Sequence, residues 1–145
     1  MAKVPIIKFV KLQKNAILPT YAHKDDAGFD IYVISSGRLK RGEKKTFSTG
    51  IASEIPKGWF VSVRDRSGLS VKHGIHVLAG VIDAGYRGEW LMTVINLGTK
   101  AYTIEKGERI AQGIIHLAPQ AKLTEVKKIS ESKRGIKGFG STGRK

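Results

Sequence analysis

Five short stretches of this sequence hold residue types suited to chemistry on an anionic substrate. In Gly80–Trp90, "GVIDAGYRGEW", Asp83 stands near Tyr86 among several glycines. A carboxylate so placed can act as a general base, the ring can form a wall, and glycines let backbone approach a ligand closely. A plain turn explains the same residues, since Asp favours turns and a tyrosine can simply pack. In Asp65–Ser70, "DRSGLS", Arg66, Ser67 and Gly68 stand where a predicted strand runs into a short helix. Guanidinium, hydroxyl and free backbone N–H groups together suit a phosphate, although a helix cap with a surface arginine would look the same.

The other three stretches are comparable. "DDAGFDIY", Asp25–Tyr32, puts carboxylates before and inside a strand entry, with Asp30 the most specifically placed. Carboxylates suit a hard cation such as Mg²⁺, which keeps several waters and sits against substrate phosphates. In "GERIAQGI", Gly107–Ile114, Gln112 interrupts an apolar strand and could donate its amide to a phosphate. The terminal "RGIKGFGSTGRK" offers Arg134 as a charged fork, Phe139 as a stacking face, and Gly140, Ser141 and Thr142 as nest and hydroxyl donors. A phosphate loop of the G-x-x-x-x-G-K-[ST] type is excluded, because neither the pattern nor its following helix is present.

The elements that must position these residues read as short strands with turns between them. The pattern predicts strands at Ile6–Leu12, Phe29–Ile34, Lys45–Ile51, Trp59–Arg64, Ile75–Leu78, Trp90–Asn96, Ala101–Ile104, Ile110–Ala118 and Leu123–Ile129. Turn signals such as Lys57-Gly58 and Lys106-Gly107 recur at the intervals of an all-β sandwich or barrel. Gly80–Trp90 reads as a hairpin. Ser67–His73 is the one helical segment, with Ser67 as N-cap and Gly74 ending it. After about Ile129 apolar strands give way to "SESKRGIKGFGSTGRK", so the chain divides into a core, 1–129, and a flexible arm, 130–145.

Composition bounds the answer without deciding it. At 145 residues and 41% hydrophobic residues the chain is a single globular domain. No apolar run approaches a membrane span, and "MAKVPIIKFVKLQ" lacks the apolar stretch of a signal peptide. The absence of cysteine excludes disulfides and thiolate metal sites and agrees with a cytoplasmic protein, or with host cytoplasm for a viral one. A net charge of +14 predicts attraction to polyanions. The lysines are scattered, with a modest cluster from Arg38 to Lys45, which reads as a generally basic surface.

Each stretch is weak singly, but their order is specific. "AGFDIY", "RSGLS", "GVIDAGYRGEW", "GERIAQ" and "RGIKGFGSTG" resemble the five motifs of the trimeric dUTPase family, in order and approximate spacing, from about Ala27 to Gly143. The resemblance implies an all-β, jelly-roll-like fold with one short helix, assembled as a homotrimer with active sites at subunit interfaces. It implies Mg²⁺-dependent hydrolysis of dUTP to dUMP and pyrophosphate, which limits uracil in DNA and supplies the thymidylate precursor. By motif, Asp30 would hold the Mg²⁺ region through water, and Arg66, Ser67, Gly68 and Gln112 would contact phosphates. Asp83 would activate the attacking water, Tyr86 would pack on the deoxyribose, and the backbone of Gly80, Val81 and Ile82 would read uracil. Arg134 would pair with the terminal phosphate, Phe139 would stack on the base, and Gly140, Ser141 and Thr142 would close over the triphosphate.

Two departures stand out. Asp65 replaces the family's usual proline before Arg66, and Lys137 stands among residues that are usually small. Two other readings use the same residues. A dCTP deaminase or bifunctional deaminase of the same fold would need a catalytic glutamate near Asp83, where Glu89 stands. A basic β-protein binding nucleic acid would explain the charge, but only 8% of residues are aromatic and several of those fall inside the motifs. Specific nucleic-acid recognition is therefore not expected, and nucleic acid enters as a weak, salt-sensitive side interaction.

Overall fold

The computed structural model describes residues 4–139. In chain order these form β1 (Lys8–Lys11), β2 (Phe29–Tyr32), β3 (Gly37–Leu39), β4 (Lys44–Ser48), β5 (Ile51–Glu54), β6 (Trp59–Asp65), α1 (Ser67–His73), β7 (Ile75–Leu78), β8 (Val81–Asp83), β9 (Leu91–Asn96), β10 (Tyr102–Ile104) and β11 (Arg109–Leu117). Four antiparallel sheets result, with strand orders β2-β11-β6-β8, β4-β9-β7, β1-β5 and β3-β10. No helix among the described residues is long and apolar enough to cross a membrane.

Alternation does most of this work. In β9, Met92, Val94 and Asn96 are buried while Leu91, Thr93 and Ile95 face outward, as a pleated strand over a core requires. β6 is buried continuously from Val61 to Val63 because β11 and β8 flank it and other layers cover it. The core centres on Trp90, fully buried, with Phe9 edge-on at 5.3 Å and its indole N–H donated to Ser53 Oγ at 3.0 Å.

Four expectations need correction. The stretch predicted as one strand from Lys45 to Ile51 is two, because Gly50 has φ +68 and its N–H turns to Glu89 Oε1 at 2.8 Å. Gly80–Trp90 is not a hairpin: β8 pairs with β6 and β9 with β4 and β7, so the intervening turn crosses between sheets. Ser67 is the first helical residue, and the N-cap position belongs to Arg66 with no side-chain cap bond. Leu123–Ile129 forms no strand. Leu123, Val126 and Ile129 are exposed, because β11 ends at Leu117 and no other described element packs over them.

Gly74 closes α1 as the sequence predicts, with φ +68 and its N–H donated to Ser70 O at 2.9 Å. A Cβ there would lie 2.6 Å from Gly98 Cα and would also meet the Gly98 nitrogen. Gly74→Ala should therefore cost more than the ~1–2 kcal/mol of a left-handed alanine alone. A denaturant-unfolding midpoint close to native would contradict this.

Candidate active site

The predicted phosphate ligands and the predicted metal residue share one cleft. Asp30 on β2, Arg66, Ser67 and Gly68 at the start of α1, and Gln112 on β11 line a depression of about 330 Å³. Register explains the grouping: Asp30 faces Gln112 across the β2–β11 pair, and Gln112 faces Arg64 across β11–β6, so all lie at one end of one sheet. Gln112 can close on the loop because Gly28 has no side chain; a Cβ there would collide with the Gln112 amide.

Asp30 is buried, and its carboxylate holds two guanidinium groups. Arg66 Nε lies 2.9 Å from Oδ1 and Arg109 Nη1 lies 3.2 Å from Oδ2. Arg66 also donates to Arg109 O at 3.0 Å. Arg66 and Arg109 thus share one anion, while Asp26, the other carboxylate lining the cleft, is turned to the His23 backbone N–H and ring. The pair with Asp30 also fixes Arg66 so that its remaining N–H groups are ready for an anion. The first N–H groups of α1 have no intrahelical acceptor, which adds donors beside Ser67 and Gly68.

The turn feeding Arg109 into this cluster is also braced. Tyr102 donates to Glu108 Oε1 at 2.6 Å, while Glu108 Oε2 accepts the Glu105 N–H at 2.9 Å. Burial first, and then the Glu108 hydrogen bond, push the Tyr102 phenol up to about 12, so it remains a neutral donor across the physiological range.

Asp65, where a proline would be usual, is turned away from the arginines. Oδ1 accepts the Val77 N–H and Oδ2 lies against His76 Nδ1, both at 2.7 Å. Its carbonyl accepts Gln112 Nε2 at 2.8 Å. The substitution therefore exchanges a fixed φ for side-chain bonds that tie β6 to β7. Arg66 keeps extended geometry, φ −88° and ψ 126°.

Asp83 and Tyr86 lie in a different cleft. Gly80, Val81, Ile82, Asp83 and Tyr86 line a depression of about 230 Å³ whose floor includes Val63 and Met92. β8 is the last strand of its sheet, so its outer N–H and C=O groups are open. The Gly80 carbonyl accepts the Val63 N–H at 2.7 Å with φ +140, a conformation natural only to glycine. Tyr86 N–H closes onto Asp83 O at 3.1 Å, and its hydroxyl donates to Glu89 O at 2.9 Å, fixing the half-exposed ring beside the exposed Asp83. Glu89 borders this cleft with its carboxylate engaged by the Gly50 N–H.

The two clefts are not one site within the chain. Asp30 and Asp83 sit on opposite edges of β2-β11-β6-β8, offset also along the strands, a separation of roughly 20 Å. The Arg66 side chain points toward β2, away from β8. Arg134 is in neither cleft: it donates from Nε to Lys137 O at 2.9 Å in an exposed turn. Phe139 is fully exposed, and Gly140, Ser141 and Thr142 lie outside the described residues.

A family model described as dUTPase matches residues 14–143. The chain belongs to the dUTPase family. A deoxyuridine 5'-triphosphate nucleotidohydrolase of Nautilia profundicola is 46% identical over 95% of this chain and 99% of its own length. One from Clostridioides difficile is 45% identical over 94% and 97%. Among solved structures, a dUTPase of Staphylococcus bacteriophage 80alpha with dUPNHPP superposes with a TM-score of 0.88 at 34% identity, covering 95% of this chain and 98% of that one. The dUTPase fold, all-β and jelly-roll-like with one short helix, is thus the fold of this chain.

Arg109 is the site residue that motif reading passed over. It stands inside "GERIAQ", but a strand arginine gives no local sign of a partner on β2. Asp30→Asn keeps the shape and removes the charge that Arg66 and Arg109 share. The expected loss is on the order of 1–2 kcal/mol, below that of a fully buried pair because the arginines are partly exposed. Chemical denaturation should read it, and an unchanged midpoint would show the cluster to be energetically idle.

Proposed function

We propose that this dUTPase-family chain hydrolyses dUTP to dUMP and pyrophosphate, with Asp83 as the general base. The observation that carries the assignment of the base is Asp83 itself: an exposed carboxylate at the lip of an apolar cleft, beside a fixed tyrosine and an open strand edge. In this reading Asp83 takes a proton from a water that attacks the α-phosphorus in line. The bond from that phosphorus to its bridging oxygen breaks, and pyrophosphate leaves. Gly80, Val81 and Ile82 offer backbone donors and acceptors to the uracil edge, and Tyr86 packs on the deoxyribose and disfavours a 2′-hydroxyl. Arg66, Ser67, Gly68 and Gln112 hold the phosphates in their shared cleft, where charge stabilisation does most of the catalytic work.

The separation of the clefts supports active sites that combine Asp83 of one chain with Arg66 of another, in the homotrimer that the family resemblance implies. The arm, 130–145, would close over such a site, with Arg134 on the terminal phosphate, Phe139 on the base, and Gly140, Ser141 and Thr142 over the triphosphate.

Among the described residues no group of three or more His, Cys, Asp or Glu could hold a metal. Both Asp30 oxygens are already engaged by guanidinium groups. Such a donor set does not fit a resident cation but fits a Mg²⁺ ion that arrives on the substrate's phosphates, with Asp30 meeting its hydration shell. When bound, that ion would neutralise phosphate charge. A phage phi11 dUTPase variant with a TM-score of 0.80 and 26% identity is described as coordinating a structural Mg(II) ion.

Pyrophosphate release should be fast with dUTP and much slower with dCTP, dTTP and UTP. Asp83→Asn should lower it by about 10²–10⁴-fold. Equal rates on all four nucleotides, ammonia from dCTP, or undiminished activity in the variant would refute the proposal. Truncation after Lys133 should leave fold and assembly intact and abolish most hydrolysis; a truncated enzyme with native kcat/KM would remove the arm from the mechanism.

A further inference from the structure

The scattered lysines are not evenly spread over the folded chain. Arg38, Lys40, Arg41 and Lys44 occupy β3, the following turn and the start of β4, and all are exposed. Folding brings Lys72 of α1 and Lys100 of the β9–β10 loop to the same end. Asn96, fully buried, is the clasp: its Nδ2 donates to Leu39 O at 3.1 Å and to Lys100 O at 2.9 Å, and its carbonyl accepts the Gly42 N–H at 2.7 Å. Its Oδ1 accepts the Gly98 N–H at 2.9 Å, and Leu97 N–H reaches Gly74 O at 2.8 Å, which fastens the end of α1 to the same point.

The only carboxylate in the β3–β4 turn is Glu43. It accepts the Lys40 N–H at 2.8 Å and lies 3.5 Å from Lys45 Nζ, and the backbone bond holds its carboxyl below the usual range. It is already neutralised by Lys45, so it does not offset the other cations. Between α1 and the loop lies a polar groove of about 460 Å³ lined in part by Lys72, His73, Thr99 and Lys100. It adjoins the C-terminal end of α1, whereas Ser67 and Gly68 of the phosphate cleft are at the opposite end.

We infer that the face formed by Arg38, Lys40, Arg41, Lys44, Lys72 and Lys100 docks the phosphate backbone of duplex nucleic acid without reading sequence. An exposed cluster of cations whose one interspersed carboxylate, Glu43, is already paired with Lys45 suits a regularly spaced polyanion. The aromatic ring at this end, Tyr102, lies tilted against His73 at 4.4 Å with its hydroxyl spent on Glu108, so it offers no platform for unpaired bases. Val71 and Leu97 are exposed nearby, but two isolated apolar side chains are too few to seat a lipid surface. Lys40 and Lys100 lie outside the residues that line the two hydrolytic clefts.

Fluorescence anisotropy of a labelled short DNA duplex tests it, with the full chain and the variant Lys40→Glu/Lys100→Glu. The native protein should bind, and its affinity should fall by about 10³-fold between 50 and 200 mM salt. The variant should bind at least about tenfold more weakly, its slope of log K against log salt should shrink by about 2, and its pyrophosphate release from dUTP should stay native. No binding at low salt would overturn the inference. So would an unchanged affinity and slope in the variant, or capture by anionic vesicles in preference to duplex.

Discussion

The width of one sheet governs how this protein can work. β11 and β6 stand between β2 and β8, and they separate the carboxylate that can activate water from the cations that can hold phosphate by roughly 20 Å. Neither half is complete alone. The cleft of Arg66 has donors for phosphate, but both of its carboxylates are engaged, Asp30 by Arg66 and Arg109 and Asp26 by His23. The Asp83 cleft has a base, a ring and an open strand edge but no arginine among its lining residues. If these residues act on a triphosphate as proposed, two copies of the chain must come together.

Local devices then hold each half in shape. Ion pairing preorganises Arg66, and the missing side chain of Gly28 lets Gln112 reach the same floor. Asp65 links the halves through structure: its carboxylate grips the start of β7 while its carbonyl holds Gln112. A proline at that position would supply stiffness from its ring; here the stiffness comes from hydrogen bonds, which places His76 in contact with the framework.

Much of the fold was legible in the sequence. Ile75–Leu78 and the helix Ser67–His73 fall where period and glycine punctuation put them. The misses have identifiable physical reasons. β3, Gly37–Leu39, is three residues with a glycine and an arginine around one buried leucine, which leaves little alternation to read. Leu123, Val126 and Ile129 look like a core strand because apolar spacing records that a segment suits burial, not which surface covers it. The grouping of Asp30, Arg66, Ser67, Gly68 and Gln112 in one cleft followed the motif order, whereas Arg109 needed the β2–β11 register to be found. The remoteness of Asp83 from that cleft is a matter of strand order, on which local sequence is silent.

Subunit mixing decides whether the two clefts work together across chains. Asp83→Asn and Arg66→Ala chains, each inactive alone, would be unfolded together, refolded and assayed for pyrophosphate release from dUTP. Partial recovery of activity is the predicted result, because mixed oligomers contain sites that pair an intact Arg66 from one chain with an intact Asp83 from another. Mixed oligomers, verified by mass to contain both chains, that remain as inactive as their parents would contradict it.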